Sequence, residues 1–419
     1  MRKISGIRTY IDRHLGYILI VPALILIAVF SIYPIIQSLS FALFDYQVND
    51  QQKNGMFFQS RFNVQYMTEK LEHIEIYYTY NITYDLSQEN FEENKELIER
   101  IESFVDSMNE KYADLLNEVG KDNIVRISNR DLEKIEAFFS FLETNSRAIN
   151  AELDHPLVPF IEEIIGSLDE TVIHNNFVGL KNFKTLFTDK FLWNATRNTL
   201  IFTVVSVFFE LVLGLMLALI MNQAMRGRGM IRTMSLIPWA IPTSVAAMMW
   251  RYLYDGDAGF IAHLLEQLRI VENSADITTQ ARPALLAVIF ADVWKTTPYM
   301  ALLLLAGLQT IPNELYESSS IDGANKLQQF YHVTLPLLKP SILVALLFRT
   351  LDAFRVHDLI QVFGGPGRAT ESLSIYSYKV MRSQMNYGYG AAIVLFMAIL
   401  VGIISFIYIK VLGVKVKED

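Results

Sequence analysis

Ionisable side chains set inside long apolar runs are the residues of this chain whose types and spacing could do chemistry. Arg349, Asp352 and Arg355 recur at three-residue intervals in one apolar stretch, and His357 and Asp358 follow directly. Three residues apart is one face of a helix, so these charges meet each other. Asp292 and Lys295 repeat the spacing in an earlier stretch and are expected to neutralise each other, while Glu210 stands alone in a third. A charge at hydrocarbon depth is costly, so it pairs, faces a wet cavity or serves transport. For Glu210 the expectation is a structural pair with a neighbouring helix. A helix that carries the whole Arg349–Asp358 set must line water or another subunit rather than lipid. Around Lys295 stand Trp294, Thr296, Thr297 and Tyr299. Aromatic planes beside a few hydrogen-bonding groups suit a sugar, whose ring faces are apolar and whose edges carry hydroxyls.

That is the chemistry of binding, and the sequence offers none for breaking bonds. There is no cysteine, which excludes disulfides, thiolate metal sites and thiol catalysis. The seven histidines are scattered, with no HExxH pattern. No Gly-x4-Gly-Lys-Ser/Thr motif occurs, so no P-loop is expected. Gly364-Gly365-Pro366-Gly367 lacks the following Lys-Ser/Thr and reads as a turn. No catalytic residue, metal ligand or bound cofactor is assigned to this chain.

The elements that must position these residues are membrane spans. Hydrophobic residues make up 52% of the 419, and they are bunched into runs long enough to cross a bilayer. Leu15–Phe44 has no charged side chain and follows Arg2, Lys3, Arg8 and Arg13. It is too long for the core of a signal peptide and reads as a retained first helix. Further spans are expected at Thr199–Met221, Thr233–Trp250, Pro283–Leu308, Ser341–Phe363 and Ala391–Val411, six in all. The N-terminus, the loop with Arg226, Arg228 and Arg232, and the tail with Lys410, Lys415 and Lys417 are basic, which places them and both termini in the cytoplasm. Arg368–Tyr387, with its small positive excess, is the one loop that runs against this orientation.

The fold class is therefore an all-α membrane protein, organised as residues 1–45, 46–176 and 177–419. Between Tyr46 and Phe177 there are 26 Asp and Glu against 11 Lys and Arg, an acidic block set into a basic, apolar chain. Leu97, Ile101, Phe104, Met108 and Leu115 keep helical spacing, as do Leu132, Ile135, Phe138, Phe139 and Leu142 behind a cap at Ser128 or Asn129. The block reads as a mainly helical extracytoplasmic insert between the first and second spans. It either docks a partner protein or is a solvated elaboration. Asn81-Ile82-Thr83 fits a glycosylation triplet.

The link between the fourth and fifth spans, Glu314–Pro340, is far longer than a hairpin needs. Asn313 is placed to cap a helix whose first turns carry Glu314 and Glu317. Gly323 suits the positive-φ position after that helix. A second short helix through Phe330 and Tyr331 is expected, and Leu335-Pro336 and Pro340 then open the fifth span. Leu315, Tyr316, Ile321, Leu327 and Phe330 give this cytoplasmic element apolar surface, to pack on its own membrane domain or to enter a partner's groove.

Glu317-Ser-Ser-x-x-Asp322-Gly323-Ala324, with Leu335-Pro336 following, resembles the EAA loop (here 311–340) of ABC importer permeases, with Ser318 and Ser319 for its two alanines and Val333 for an isoleucine. FVGLKNF at Phe177–Phe183, RNT at Arg197–Thr199, GRG at Gly227–Gly229 with Pro238 and Pro242, WKTTPYM at Trp294–Met300, GGPG at Gly364–Gly367 and YGYGAA at Tyr387–Ala392 are similar to the binding-protein-dependent sugar branch, the maltose-type "F-like" subunit. The resemblance covers nearly everything except the insert. It implies the type I ABC importer permease fold and a function in sugar uptake, of an oligosaccharide, by ATP-driven alternating access. Glu314, Glu317, Asp322, Gly323, Ala324, Leu335 and Pro336 would form the loop that couples to the ATPase. The substrate pathway would involve Trp294, Lys295, Thr296 and Tyr299 before the loop, and Arg349, Asp352, Ala353 and Val356 after it. Charges at Lys295, Arg349 and Asp352 depart from the maltose-type pattern, which argues against a maltose-like ligand and leaves open whether the sugar carries charged groups. The implied partners are a second homologous permease in a heterodimer, two ATPase subunits that hold ATP and Mg, and an extracellular or periplasmic sugar-binding protein. Membrane lipid surrounds the spans, and no nucleic acid is involved. The implied location is the plasma membrane of a bacterial cell, multi-pass. Two alternatives stay open: an importer for another solute such as a polyamine, and a membrane sensor with a helical ectodomain, for which the eight or so residues after Val411 leave no signalling domain.

Overall fold

Long uncharged runs leave each backbone N–H and C=O no partner in lipid except within its own helix. The computed structural model, which describes residues 20–81, 88–118, 124–151, 157–223, 226–365 and 367–412, is accordingly built of helices. In chain order the first part holds α1 (Ile20–Ala42), β1 (Arg61–Asn63), α2 (Val64–Ile76), α3 (Gln88–Glu118), β2 (Ile124–Arg126), α4 (Asn129–Asn150), α5 (Val158–Gly166) and β3 (Val172–Ile173). The second part holds α6 (Lys181–Thr188), α7 (Lys190–Asn222), α8 (Arg228–Ser235), α9 (Ile237–Ala240), α10 (Thr243–Leu253), α11 (Phe260–Gln267) and α12 (Ala281–Leu308). It continues with α13 (Asn313–Ile321), α14 (Lys326–Phe354), α15 (Asp358–Phe363), α16 (Leu373–Arg382) and α17 (Tyr387–Leu412). Two compact units result, one of Ser40–Asn182 with Met385–Gly388 and one of the remainder.

Among the described residues, five helices are long and apolar enough to cross a membrane: α1, α7, α12, α14 and Tyr387–Val411 within α17. The basic N-terminal residues and residues 15–19 lie outside the described part, as do Lys415 and Lys417. The third expected span, Thr233–Trp250, is not one helix; it is divided among α8, α9 and α10. Pro242 explains the break. Its ring has no N–H to extend a helix and pushes the preceding residue into extended backbone, and Ile241 accordingly has ψ 131. The fifth expected span also differs. Its helix begins at Lys326, runs through a π-turn at Phe330–Thr334, and breaks at Arg355 before resuming as α15.

In the larger unit α12 is central, with 72% of its most apolar window buried, and α7 and α14 pack on it. Small residues permit the approach: a Cβ on Gly214 of α7 would meet Met300 Cγ of α12 at 2.7 Å. Asp189 starts α7 by accepting from the N–H groups of Phe191 (2.9 Å) and Leu192 (3.2 Å). Its other oxygen accepts from the hydroxyls of Tyr376 in α16 and Tyr389 in α17, so one carboxylate ties three elements.

The smaller unit is mainly helical around its own core. Leu97, Ile101 and Met108 of α3 are buried, as are Ile135, Phe139 and Leu142 of α4, and Phe104 stacks on Phe138 between the two helices. The side chain of Leu115 and residues 82 and 83 of the glycosylation triplet lie outside the described residues. Ser128 caps α4, accepting from Asp131 N–H at 3.2 Å. The sequence reading missed an antiparallel sheet ordered β2-β1-β3, whose strands of two or three residues are too short to show alternation.

Candidate functional site

Two interrupted helices meet at a cavity of about 360 Å3 inside the larger unit. Its wall includes Trp239 and Thr243 on either side of the α9–α10 break, and Arg355, Val356 and His357 in the α14–α15 break. Broken helices leave backbone polar groups without helical partners, which is how membrane bundles present such groups to a solute. Several of these groups are engaged here: the Trp239 carbonyl accepts from Lys295 Nζ at 3.4 Å, the Val356 carbonyl accepts from the Ser372 hydroxyl at 2.8 Å, and the N–H groups of Arg355 and Val356 donate to the Asp352 and Ala353 carbonyls at 3.1 Å.

Six of the eight expected pathway residues line this space: Lys295, Thr296, Arg349, Asp352, Ala353 and Val356. The other two stand behind it. Trp294 packs edge-on against Trp250 at 5.5 Å, and Tyr299 stacks on Trp239 at 5.5 Å with planes 10° apart. Tyr299 thus backs the indole that faces the cavity. Sequence reasoning missed Phe202, Trp239, Thr243 and Leu359 as lining residues. The signal for Trp239 was the pair Pro238 and Pro242, which predicts an irregular backbone around it.

The charges are arranged differently from the sequence expectation. Asp292 and Lys295 do not neutralise each other; Asp292 pairs with Arg349 Nη2, and Lys295 reaches the Trp239 carbonyl. Arg349 is the centre of the cluster. Its Nε and Nη2 donate to both oxygens of Glu210, the second at 2.9 Å, and its Nη1 donates to Asp352 at 3.0 Å. The Thr296 hydroxyl donates to Glu210 at 2.7 Å. Glu210 is therefore paired, as expected of it, and α7, α12 and α14 are joined through one guanidinium. Arg349 is only 1% exposed, so most of its hydrogen-bonding capacity is spent inside the protein. Asp352, whose side chain is 67% exposed, and Lys295 are the charged members turned to the cavity.

The link after α12 is a second constructed feature. Pro312, not Asn313, occupies the cap position of α13, and no side chain caps that start. Gly323 has φ +80, and the N–H groups of Gly323 (3.1 Å) and Ala324 (2.9 Å) return to the carbonyls of Ser320 and Ser319. This pair of hydrogen bonds closes a helix with its glycine in the left-handed region. Asn325 and Gln328 then form a reciprocal capping box, at 2.9 and 2.8 Å, which launches α14 in the new direction. Gln329, 4% exposed, clamps the two helices by donating to the Tyr316 carbonyl (3.1 Å) and the hydroxyls of Ser319 (3.2 Å) and Ser320 (2.7 Å). Tyr316 packs on the unit's own core, and its hydroxyl meets Thr334 at 3.0 Å. Ile321 at 87% and Leu327 at 66% exposure point away. Glu314, Glu317, Asp322, Gly323 and Pro336 are exposed, and Ala324 and Leu335 half-buried.

Residues 210–418 match the family described as the binding-protein-dependent transport system inner membrane component. The chain is 45% identical over 237 residues to the trehalose transport system permease protein SugA of Mycobacterium tuberculosis, covering 57% of this chain and 75% of that one. It is 44% identical over 239 residues to the trehalose/maltose transport system permease protein MalF of Thermococcus litoralis, covering 56% and 79%. A sulfoquinovosyl glycerol transport permease of Agrobacterium fabrum is 37% identical over 245 residues, covering 57% and 78%. Among solved structures, a bacterial ABC transporter that imports the acidic polysaccharide alginate aligns with TM-score 0.50 at 21% identity, covering 69% of this chain and 100% of that chain.

Proposed function

The chain belongs to the family of binding-protein-dependent transport inner membrane components, and from that premise we propose that it is the sugar-translocating permease subunit of an ABC importer. One observation carries the reading: the cavity is walled by two helix breaks and by the residues that the resemblance assigned to the sugar path. The ligand class follows from how the charges are spent. Arg349 answers Glu210 and Asp292 internally, so its charge gives no reason for an acidic sugar. At the wall Lys295 and Arg355 are matched by Asp352 and Asp358, so the exposed charge selects neither an acidic sugar nor a polycation such as a polyamine. A neutral sugar of the trehalose or maltose class fits best, with Trp239 offering its ring and Lys295, Thr296 and Asp352 offering polar contacts.

In this reading six segments cross the cell membrane, the broken α8–α10 region supplying the sixth. The termini and the α13–α14 link face the cytoplasm, and the acidic insert faces outward. ATP and Mg bind separate ATPase subunits, and exposed Ile321 and Leu327 are the apolar points of the link that such a subunit would receive. A second permease and an external binding protein complete the assembly. Co-reconstitution with those partners in proteoliposomes tests it: trehalose or maltose should stimulate ATP hydrolysis and accumulate inside. Hydrolysis that neither sugar changes, with no uptake, would overturn the assignment.

A further inference from the structure

A groove of about 890 Å3 lies wholly within the Ser40–Asn182 unit, apart from the transport cavity. The small sheet explains its floor. Alternate residues of a strand face opposite ways, and Phe62, Val125 and Val172 point into the core. Register then puts Asn63, its partner Ile124, and Ile173 on the opposite face, which lines the groove.

A turn over Gln47–Gln52 forms a wall, and it is pinned. Asn176, 6% exposed, donates to the carbonyls of Gly55 (2.7 Å) and Asp45 (3.2 Å) and accepts from Phe57 N–H at 2.8 Å. Within the turn, Asp50 accepts from Gln52 N–H at 2.9 Å, and Gln52 Nε2 reaches the Asp169 carbonyl at 3.2 Å. The wall is preformed, so a ligand would not have to order it.

The unspent groups define the ligand. Asn49 and Gln51 are exposed and make no side-chain hydrogen bond to another described residue. Among the described residues Asn63 engages its Oδ1 alone, on Tyr66 N–H at 3.0 Å, and its Nδ2 is there to donate. Carboxamides that both donate and accept match hydroxyls, which do the same. The two isoleucines add apolar surface for a ring face, beside Tyr66, which is 41% exposed and has Lys70 Nζ over its ring at 4.4 Å. Asp50 and Glu170 have Lys53 and Lys70 as neighbours, at 3.8 and 3.7 Å, and no lysine or arginine lines the groove. The charged residues that line the groove are therefore acidic, which disfavours an anionic ligand, although Arg61 shares the floor face opposite Ile173. The volume falls in the range of small-ligand sites, roughly 300–1,000 Å3.

We propose that this groove is a second carbohydrate-binding site, taking a short neutral oligosaccharide on the insert independently of the transport cavity. The full chain in lipid nanodiscs is photolabelled with a diazirine derivative of maltotriose, and labelled peptides are mapped with and without excess maltotriose. Label is expected in the peptides spanning 47–52 and 63–66, and maltotriose should compete it away. In the double variant Asn49→Ala, Gln51→Ala, whose positions are exposed, half-labelling should need about tenfold more probe, the weight of one to two neutral hydrogen bonds. Its melting temperature should be unchanged. Label confined to peptides spanning 292–299 and 349–359 would overturn the groove and leave the transport reading standing. Label in the groove alone would support the groove and count against the transport cavity. Groove labelling that maltotriose does not compete, or that the double variant does not weaken, would overturn the proposal.

Discussion

Removing Arg349 should damage the protein more than removing any carboxylate it serves. Arg349→Met keeps the length and apolar stem of the side chain but withdraws the one guanidinium that Glu210, Asp292 and Asp352 share. Glu210 is fully buried and the Asp292 side chain is 10% exposed, so both carboxylates lose their counter-charge where water cannot replace it. Breaking a buried pair by deleting one partner costs about 3–5 kcal/mol. Asp352 is two-thirds exposed, so its share is discounted to nearly nothing. Glu210→Gln is milder. The amide oxygen still accepts from Arg349 and Thr296, and Asp292 still answers the cation, so a loss of about 1–2 kcal/mol is expected. The order is then Arg349→Met, then Glu210→Gln, then Asp352→Asn. At about 2–4 °C per kcal/mol for a unit of this size, Arg349→Met should melt roughly 10 °C lower. Thermal unfolding in detergent, followed by size-exclusion fluorescence, reads this directly. Adding Glu210→Gln and Asp292→Asn to Arg349→Met should recover part of the loss, because the stranded charges go with the cation. An Arg349→Met protein that melts within two degrees of the parent would refute the reasoning, as would a triple variant less stable than the single one.

Lys295 should behave in the opposite way: its one side-chain bond among the described residues is the 3.4 Å contact to Trp239, so Lys295→Met should keep the melting temperature while lowering sugar uptake about tenfold, the scale of a charged hydrogen bond. Unchanged uptake in proteoliposomes would remove Lys295 from the path. Gly323→Ala should uncouple ATP hydrolysis from sugar, because φ +80 strains any L side chain by about 1–2 kcal/mol although open space surrounds its Cβ; a variant that hydrolyses and transports as the parent does would deny the link its role. For Asp189, burial pulls its pKa up, but hydrogen bonds from Tyr376 and Tyr389 and two backbone N–H groups hold it below the ordinary 3.8. A depressed carboxylate stabilises fully above that ordinary value and loses its contribution as pH falls through its native pKa. Asp189→Asn should therefore be less stable than the parent at pH 7, with the gap closing below pH 3.8, and a gap that widens in acid would contradict the assignment.

Much of this was legible because membrane depth makes charges informative. Arg349, Asp352 and Lys295 stood out as costly, and the structure gathers them at one cavity. What the sequence did not reveal was the pairing, since Glu210 and Arg349 are 139 residues apart and no local spacing joins them. Asp292 and Lys295 share a helix face, yet Arg349 wins Asp292 by arriving from another helix with a planar fork of donors. The link was readable to the level of Gly323. Its clamp was not, because Gln329 is a polar side chain with nothing in its spacing to mark it as buried. The broken third span had a visible cause in Pro242, but hydropathy averages over a window and does not register a missing N–H. The sheet of the smaller unit escaped because its strands are brief and lie tens of residues apart.

Arg349 and the two breaks belong to one physical arrangement. A solute path through a helix bundle needs polar backbone, and a helix gives that up only where it stops. The stops at Ile241–Pro242 and Arg355–His357 interrupt the helical ladder beside the cavity, and they remove hydrogen bonds that hold each helix rigid. Left alone, such ends would fray. The intact part of α14 is secured one to two turns before its break, where Arg349 binds α7 and α12 at once. Gly214 lets α7 lie close enough to α12 for Thr296 to share Glu210 with it. The ionic cluster is thus better understood as the fixed edge of the cavity than as its ligand-binding surface. It commits the most costly charges to holding three helices in register, and on the proposed reading it is the irregular region beside it, with Trp239 and Lys295, that would meet the sugar.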